Sequence, residues 1–319
     1  MHDRDCLHRF LFEHLPIRGH IVHLDAAWRA LLEHRDYPVA VRDMLGEAVA
    51  ASVLLSATLK FDGTLSLQLQ GDGPVHLLLA QCTNELAVRA VARYQEAPEI
   101  HDARSTLPVL AGTGRLMVTL ENEDLSQRYQ GIVALDQSRL AGCLQRYFEE
   151  SEQLPTRLWL HADERGVSGI LLQRLSDDSV AQRTGADNLR VPTGAQRIVG
   201  PDRAAVDDAW RRVQLLADTL TPGELRTLTD REILHRLFAE DDVRVFESAP
   251  VSFRCRCSRE RVVAMLRGIG VEEARGVLAE RGHVEVVCDF CNRAYRFDAV
   301  DVEQIFAAAT AAESSGTVH

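Results

Sequence analysis

No apolar run in this chain reaches the length of a membrane-spanning helix, and the N-terminus M-H-D-R-D-C carries no signal-peptide pattern. The expectation is therefore a cytoplasmic protein with no membrane partner. Positive charge is also short: 47 Asp and Glu stand against 36 Lys and Arg, and the net charge of −11 disfavours a general nucleic-acid binder. Gly71-x-Gly73 and Gly112-x-Gly114 lack a following helix start with Lys-Ser/Thr, so they read as turns rather than phosphate loops. Regular βαβ alternation is missing as well, which argues against a doubly wound sheet. What is present is ordinary for a globular protein: 46% hydrophobic and 26% charged residues over 319 positions, enough for two domains or more.

The apolar patterning points to an α+β protein. Residues 6–24 read as a strand pair around a Pro16–Gly19 turn, and Asp25 is placed to cap a short helix carrying Trp28, Leu31 and Leu32. Pro38 to Lys60 reads as a long Ala-rich helix, apolar on more than one side and so buried against a sheet. In T-L-S-L-Q-L-Q, Leu65, Leu67 and Leu69 alternate with polar residues, and the chain returns after Gly71-Asp72-Gly73-Pro74 through Val75, Leu77 and Leu79. Strands follow Gly114, a helix capped by Ser138 comes next, and two strands span Thr156–His161 and Val167–Leu175. These elements predict a mixed hairpin and helix core domain over 1–175.

Residues 176–250 read as a helical linker that begins in a polar, irregular stretch. Trp210, Val213, Leu216 and Leu220 recur at helical spacing. Thr221-Pro-Gly-Glu224 and Thr229-x-x-Glu232 are capping boxes, the second opening a helix with Ile233, Leu234, Leu237 and Phe238 on one face. Such short amphipathic helices must dock on something or melt. A small domain is expected over 251–306: a helix capped by Ser258, a second ending near Gly282, a hairpin, and a helix after Asp301. Ala- and Ser-rich residues 307–319 read as a tail.

Of the seven cysteines, Cys6, Cys82 and Cys143 lie singly in apolar segments and read as small buried hydrophobes. The other four form Cys255-x-Cys257 and Cys288-x-x-Cys291, in F-R-C-R-C-S-R-E-R and V-E-V-V-C-D-F-C-N-R-A-Y-R-F. Where thiols stay reduced, paired cysteines suggest metal or redox chemistry rather than structural disulfides. Two short pairs fit a tetrahedral four-cysteine site for one Zn²⁺ per chain. In an extended segment side chains at i and i+2 point the same way, so Cys255 and Cys257 can share an ion, and Cys288-x-x-Cys291 fits a knuckle closing the hairpin. Arg254, Arg256, Arg259, Arg261, Arg293 and Arg296 are placed to offset the thiolate charge.

Three other functions fit the residues less well. A zinc-ribbon nucleic-acid module would use the nine Arg of 251–300, but seven Asp and Glu and the thiolates cancel them, and no aromatic stripe interleaves. A thiol–disulfide oxidoreductase wants its first cysteine at a helix N-terminus, and Cys288 lies between strands. A zinc hydrolase needs an open coordination position that four cysteines do not leave. The chain reads as a non-enzyme.

Six stretches together resemble one family from end to end: A-T-L-K-F-D-G (57–63), Q-L-Q-G-D-G-P (68–74), R-Y-Q-G-I-V (128–133), S-E-Q-L-P-T-R-L (151–158), C-R-C-S-R-E-R (255–261) and C-D-F-C-N-R-A-Y-R-F (288–297). The chain is similar to the redox-regulated thirty-three-kilodalton heat-shock chaperones. That resemblance implies an ATP-independent holdase for unfolding proteins under oxidative and heat stress. It implies a zinc-bound monomer at rest when reduced, and a homodimer switched on when oxidised, with Cys255, Cys257, Cys288 and Cys291 as both zinc ligands and disulfide-forming thiols. The apolar linker faces around Trp210–Leu220 and Ile233–Phe238 would then be exposed to hold clients. The family often has Gly after the last ligand cysteine; this chain has Asn292, which tolerates left-handed backbone.

Overall fold

The computed structural model describes residues 4–33, 35–59, 61–122, 128–175 and 203–314. The chain folds into two compact units, Met1–Phe253 and Arg254–His319.

The first unit is built on two sheets separated by one helix, antiparallel except where the short last strand, 252–253, runs parallel to 87–88. Strands β1 (Cys6–Phe12) and β2 (Ile17–Leu24) pair directly, with Leu7 opposite Val22 and Phe10 opposite Gly19. The tight turn therefore falls earlier than Gly19, and glycine is needed there for another reason: a Cβ would collide with the Phe10 ring. Helix α1 (Ala26–Leu32) follows, then α2 (Val39–Ser56), β3 (Gly63–Gly71), β4 (Val75–Thr83) and β5 (Ala87–Tyr94). Next come a 3₁₀ turn at Pro98–His101, α3 (Leu107–Ala111), β6 (Gly114–Asn122), β7 (Arg128–Ala134), α4 (Leu140–Glu150), β8 (Thr156–Ala162) and β9 (Val167–Arg174). Fifteen of the eighteen residues of α2 are buried, because it packs on β2, β8 and β9 of one sheet and on β3, β4 and β5 of the other. Its Ala residues let both sheets approach, which is why the segment shows no polar face.

Two helix starts differ from expectation. The N–H groups of Asp25, Ala26 and Ala27 are accepted by the carboxylate of Asp5, at 2.7–3.0 Å, and not by Asp25, whose carboxylate is held by Arg226 at 3.1 Å. Ser138 does not cap α4 with its side chain; its carbonyl accepts from the Leu107 N–H instead.

After the undescribed residues come α5 (Arg203–Ala217), α6 (Pro222–Thr227) and α7 (Asp230–Phe238), then three short strands, β10 (Val243–Val245), β11 (Ala249–Pro250) and β12 (Ser252–Phe253). The first sheet runs β10-β1-β2-β9-β8, with β11 also on β1; the second runs β12-β5-β4-β3-β6-β7. Both predicted capping boxes form, Thr221 with Glu224 and Thr229 with Glu232. The polar stretch expected over about 176–200 lies outside the described residues. The helices themselves lie on the face of the first sheet that points away from α2. Trp210, Val213, Leu220, Ile233, Leu234, Leu237 and Phe238 are buried there against Phe10, Phe12, Ile17, Ile21, Ile170 and Leu172, with Leu216 at the margin. Each fully buried large side chain contributes roughly 1.5–3 kcal/mol, and helices this short do not persist in water alone. Polar ties add register: Arg157 Nε donates to Gln214 at 2.8 Å and Trp159 Nε1 to Asp218 at 3.0 Å.

The second unit holds α8 (Arg259–Ile269), α9 (Val271–Arg281), the hairpin β13 (Val284–Val287) and β14 (Ala294–Phe297), and α10 (Ala299–Ser314). Ser258 caps α8 as expected, accepting from Arg261 N–H at 3.3 Å. Helix α8 runs past Gly268 to end at Gly270, and α10 starts before Asp301, with Asp298 accepting from the Asp301 N–H. The core of this unit is small: Val262, Leu266, Ala274, Val284, Tyr295, Phe297, Val302 and Ile305.

Candidate metal centre

The four paired cysteines meet in the second unit. Cys255 and Cys257 follow β12 in a stretch without regular secondary structure, and both sulfurs reach the same cluster. Cys288 and Cys291 lie in the turn of the β13–β14 hairpin. Within it Cys288 N–H donates to the Arg293 carbonyl, and Asn292 N–H donates to the Cys288 carbonyl, both at 2.9 Å. Asn292 takes φ +55°, the left-handed conformation anticipated for it.

All four sulfurs lie within 4.8 Å of one another. The shortest separations cross the two pairs: Cys255 Sγ to Cys288 Sγ is 3.6 Å, and Cys257 Sγ to Cys291 Sγ is 3.3 Å. Four thiolates at about 2.3 Å from a tetrahedral Zn²⁺ would stand about 3.8 Å apart, so the donor set fits that ion after small side-chain shifts. The cysteines are half-buried, and no described cysteine is in a disulfide. Cys82 and Cys143 are buried as small hydrophobes, and burial pushes the Cys82 thiol up to about 12. Cys6 is buried too, but beside polar neighbours.

The sulfurs are not electrostatically equal. Burial works against a thiolate at Cys257, but hydrogen bonds from Tyr295 and from the other cysteines outweigh it and bring the thiol down to about 7. Burial pushes Cys255 and Cys291 up. Tyr295, on β14, donates its phenol proton to Cys257 Sγ at 3.2 Å. Sequence reasoning missed this contact; the only signal is an aromatic placed four residues beyond Cys291. Of the arginines expected to offset the thiolates, Arg293 feels Cys257 and Cys291 directly. Arg259 pairs with Asp301 at 3.0 Å and stacks over Phe297, Arg296 pairs with Glu285, and Arg261 donates to the Arg256 carbonyl. They hold the small unit together rather than neutralise sulfur.

The linker residues expected to grip clients are all brought together in one apolar layer, and in this structure the sheet covers them. Of their partners, Phe10, Phe12 and Ile21 are apolar positions of the strand pair read from the sequence, but nothing there marks them, or Ile17, Ile170 and Leu172, as the surface beneath the linker helices. Among the described residues no helix is long and apolar enough to cross a membrane.

Comparison with known proteins agrees across the chain. A family model described as Hsp33 protein matches residues 5–298. The 33 kDa chaperonin of Nitrosococcus oceani is 44% identical over 320 residues, covering 100% of both chains. That of Methylobacillus flagellatus is 42% identical over 95% of this chain and 94% of its own. The crystal structure of the 33 kDa chaperonin (heat shock protein 33 homolog) of Thermotoga maritima superposes with a TM-score of 0.77 at 22% identity, over 96% of this chain and 99% of that one, a likeness of fold.

Proposed function

This chain belongs to the Hsp33 family, and on that premise we propose that it is an ATP-independent holdase switched on by oxidants. The observation that carries the redox part is the convergence of Cys255, Cys257, Cys288 and Cys291. These residues would hold one Zn²⁺, which when bound joins the 255–257 segment to the hairpin and contributes on the order of 10–16 kcal/mol of folding energy. A unit whose described core is eight side chains depends on such a staple.

Peroxide takes two electrons from each pair of thiols; one S–S bond forms per peroxide, and the peroxide is reduced to two waters. A disulfide sulfur is a poor ligand, so the second unit loses its support. Between α7 and Cys255 the chain pairs onto the sheets through the short strands β10, β11 and β12, with Val251 buried in the core and Arg244 paired with Glu13 at 3.1 Å. Loss of order in the second unit therefore pulls on edge pairings first and on the docked helices next. Undocking bares both apolar faces, the helix face from Trp210 to Phe238 and the sheet face from Phe10 to Leu172. Exposed contiguous apolar surface of this kind binds unfolded chains.

On this reading residues 1–175 are the core, 176–250 the linker, 251–306 the switch and 307–319 a tail. The resting form is a reduced monomer and the active form a homodimer. The protein works in the cytoplasm, where thiols are kept reduced between stresses, and it catalyses no reaction. Light scattering of a heat-denatured client tests it: peroxide-treated protein suppresses aggregation and reduced protein does not. Equal suppression by both forms would remove the switch from the account.

A further inference from the structure

A second set of donors converges far along the chain from the four-cysteine cluster, at the polar end of the stripe beneath the linker helices. Cys6 and His8 are two apart on β1 and face the same side as Phe10 and Phe12. His23 lies opposite Cys6 across the β1–β2 ladder. Asp230, the first residue of α7, reaches onto both histidines and lies within 4.8 Å of the Cys6 sulfur. Its Oδ2 is 2.5 Å from His8 Nδ1 and its Oδ1 is 2.8 Å from His23 Nδ1. His8 Nδ1 lies 3.8 Å from Cys6 Sγ. Cys6 is only 5% exposed and Asp230 7%, and one donor atom from each of Cys6, His8 and Asp230 lies within 4.8 Å of the others.

We propose that Cys6, His8 and Asp230 form a divalent-cation site of the zinc type that pins α7 to β1. Sulfur, imidazole nitrogen and carboxylate oxygen are all zinc donors, and three protein ligands leave a fourth position for water. A thiolate, a carboxylate and a neutral imidazole balance the charge of one dication. His23 acts from outside: its Nε2 lies 2.7 Å from the Leu225 carbonyl oxygen and its Nδ1 2.8 Å from the far oxygen of Asp230, so with acceptors on both sides each ring nitrogen donates, and the cationic ring supports the ligating carboxylate. A cleft of about 740 Å³ lined by Arg4, His8, Thr229, Asp230, Phe246 and Glu247 among others gives an ion its way in. Binding replaces the His8 Nδ1 proton and spreads the donors by about 1 Å or less. Because the ligands come from the sheet and from α7, only the docked helix completes the site, and the ion stabilises docking by mass action. The site does not rest on the holdase reading.

Full-length protein with its four-cysteine cluster loaded with one equivalent of zinc is titrated with Co²⁺ while retained zinc is measured. A second metal equivalent is expected, with a thiolate-to-cobalt absorption of single-sulfur strength and slower amide exchange across 222–238. Cys6→Ser abolishes that absorption and Asp230→Asn weakens uptake roughly tenfold or more. Both variants keep the zinc equivalent, and unchanged exchange across 63–122 reports that the first unit folds. Uptake that stops at the zinc equivalent overturns the proposal, as does a second equivalent indifferent to both substitutions.

Discussion

Phe238→Ala separates the docking of the linker helices from the chemistry of the cysteines. Phe238 is 2% exposed, with the Phe12 ring edge-on at 5.0 Å and the Phe10 ring at 6.5 Å. Removing such a ring costs about 3–5 kcal/mol in lost transfer energy and cavity. If about 3 kcal/mol of that falls on docking, the open population rises roughly a hundredfold. The substitution touches none of the four clustered cysteines, so zinc content in the reduced state should not change. Amide exchange should accelerate by about that factor across 203–238 and much less across 63–122. The reduced variant should also suppress client aggregation without peroxide. Protection that stays at the wild-type level would show that this packing does not hold the helices down. Faster exchange without client holding would show that the uncovered faces are not what grips clients.

Three further outcomes are expected. Cys288→Ser should lower the zinc content of the reduced protein and Cys82→Ser should not; equal zinc in both, read by a colorimetric release assay, contradicts the ligand set. Tyr295→Phe removes the hydrogen bond to Cys257 Sγ and should speed zinc transfer to a chelator several-fold, on the order of the 10- to 100-fold effects of lost outer-shell partners at its upper end; an unchanged transfer rate refutes a role for the phenol. Glu47 is buried on α2, and burial pushes its carboxyl up to about 7 despite Arg139 at 3.0 Å. The native state thus keeps a proton that the unfolded chain gives up near 4.5, so this group's contribution to stability falls as pH rises across that window. Glu47→Gln should flatten that fall in denaturation midpoints taken at about pH 5 and about pH 8; an identical slope in both proteins counts against it.

Much of the fold was legible wherever structure is set by near neighbours. The Leu65-Leu67-Leu69 alternation is β3, both Thr-x-x-Glu boxes cap helices, and the cysteine pairs meet as their spacing implies. Strand β5 was not read, because Ala87, Val88, Ala90, Val91 and Ala92 are buried on both faces and the period of two is lost. The caps of α1 and α4 were misplaced for a related reason: Asp5 serves α1 from a distant part of the chain, which no local pattern encodes. The amphipathic helices announced that they must dock, but not where. The His8–Asp230 contact joins residues 222 apart in sequence, so the second donor cluster exists only once the chain has folded.

The central claim is that loss of the thiolate cluster releases the linker and that the released surface holds clients. Hydrogen exchange on one peroxide time course, with zinc release and client aggregation followed in the same samples, tests it most directly. The account predicts that zinc loss, deprotection of 203–238 and suppression of aggregation rise together, while 63–122 stays protected. Full suppression of aggregation with 203–238 still protected would contradict it.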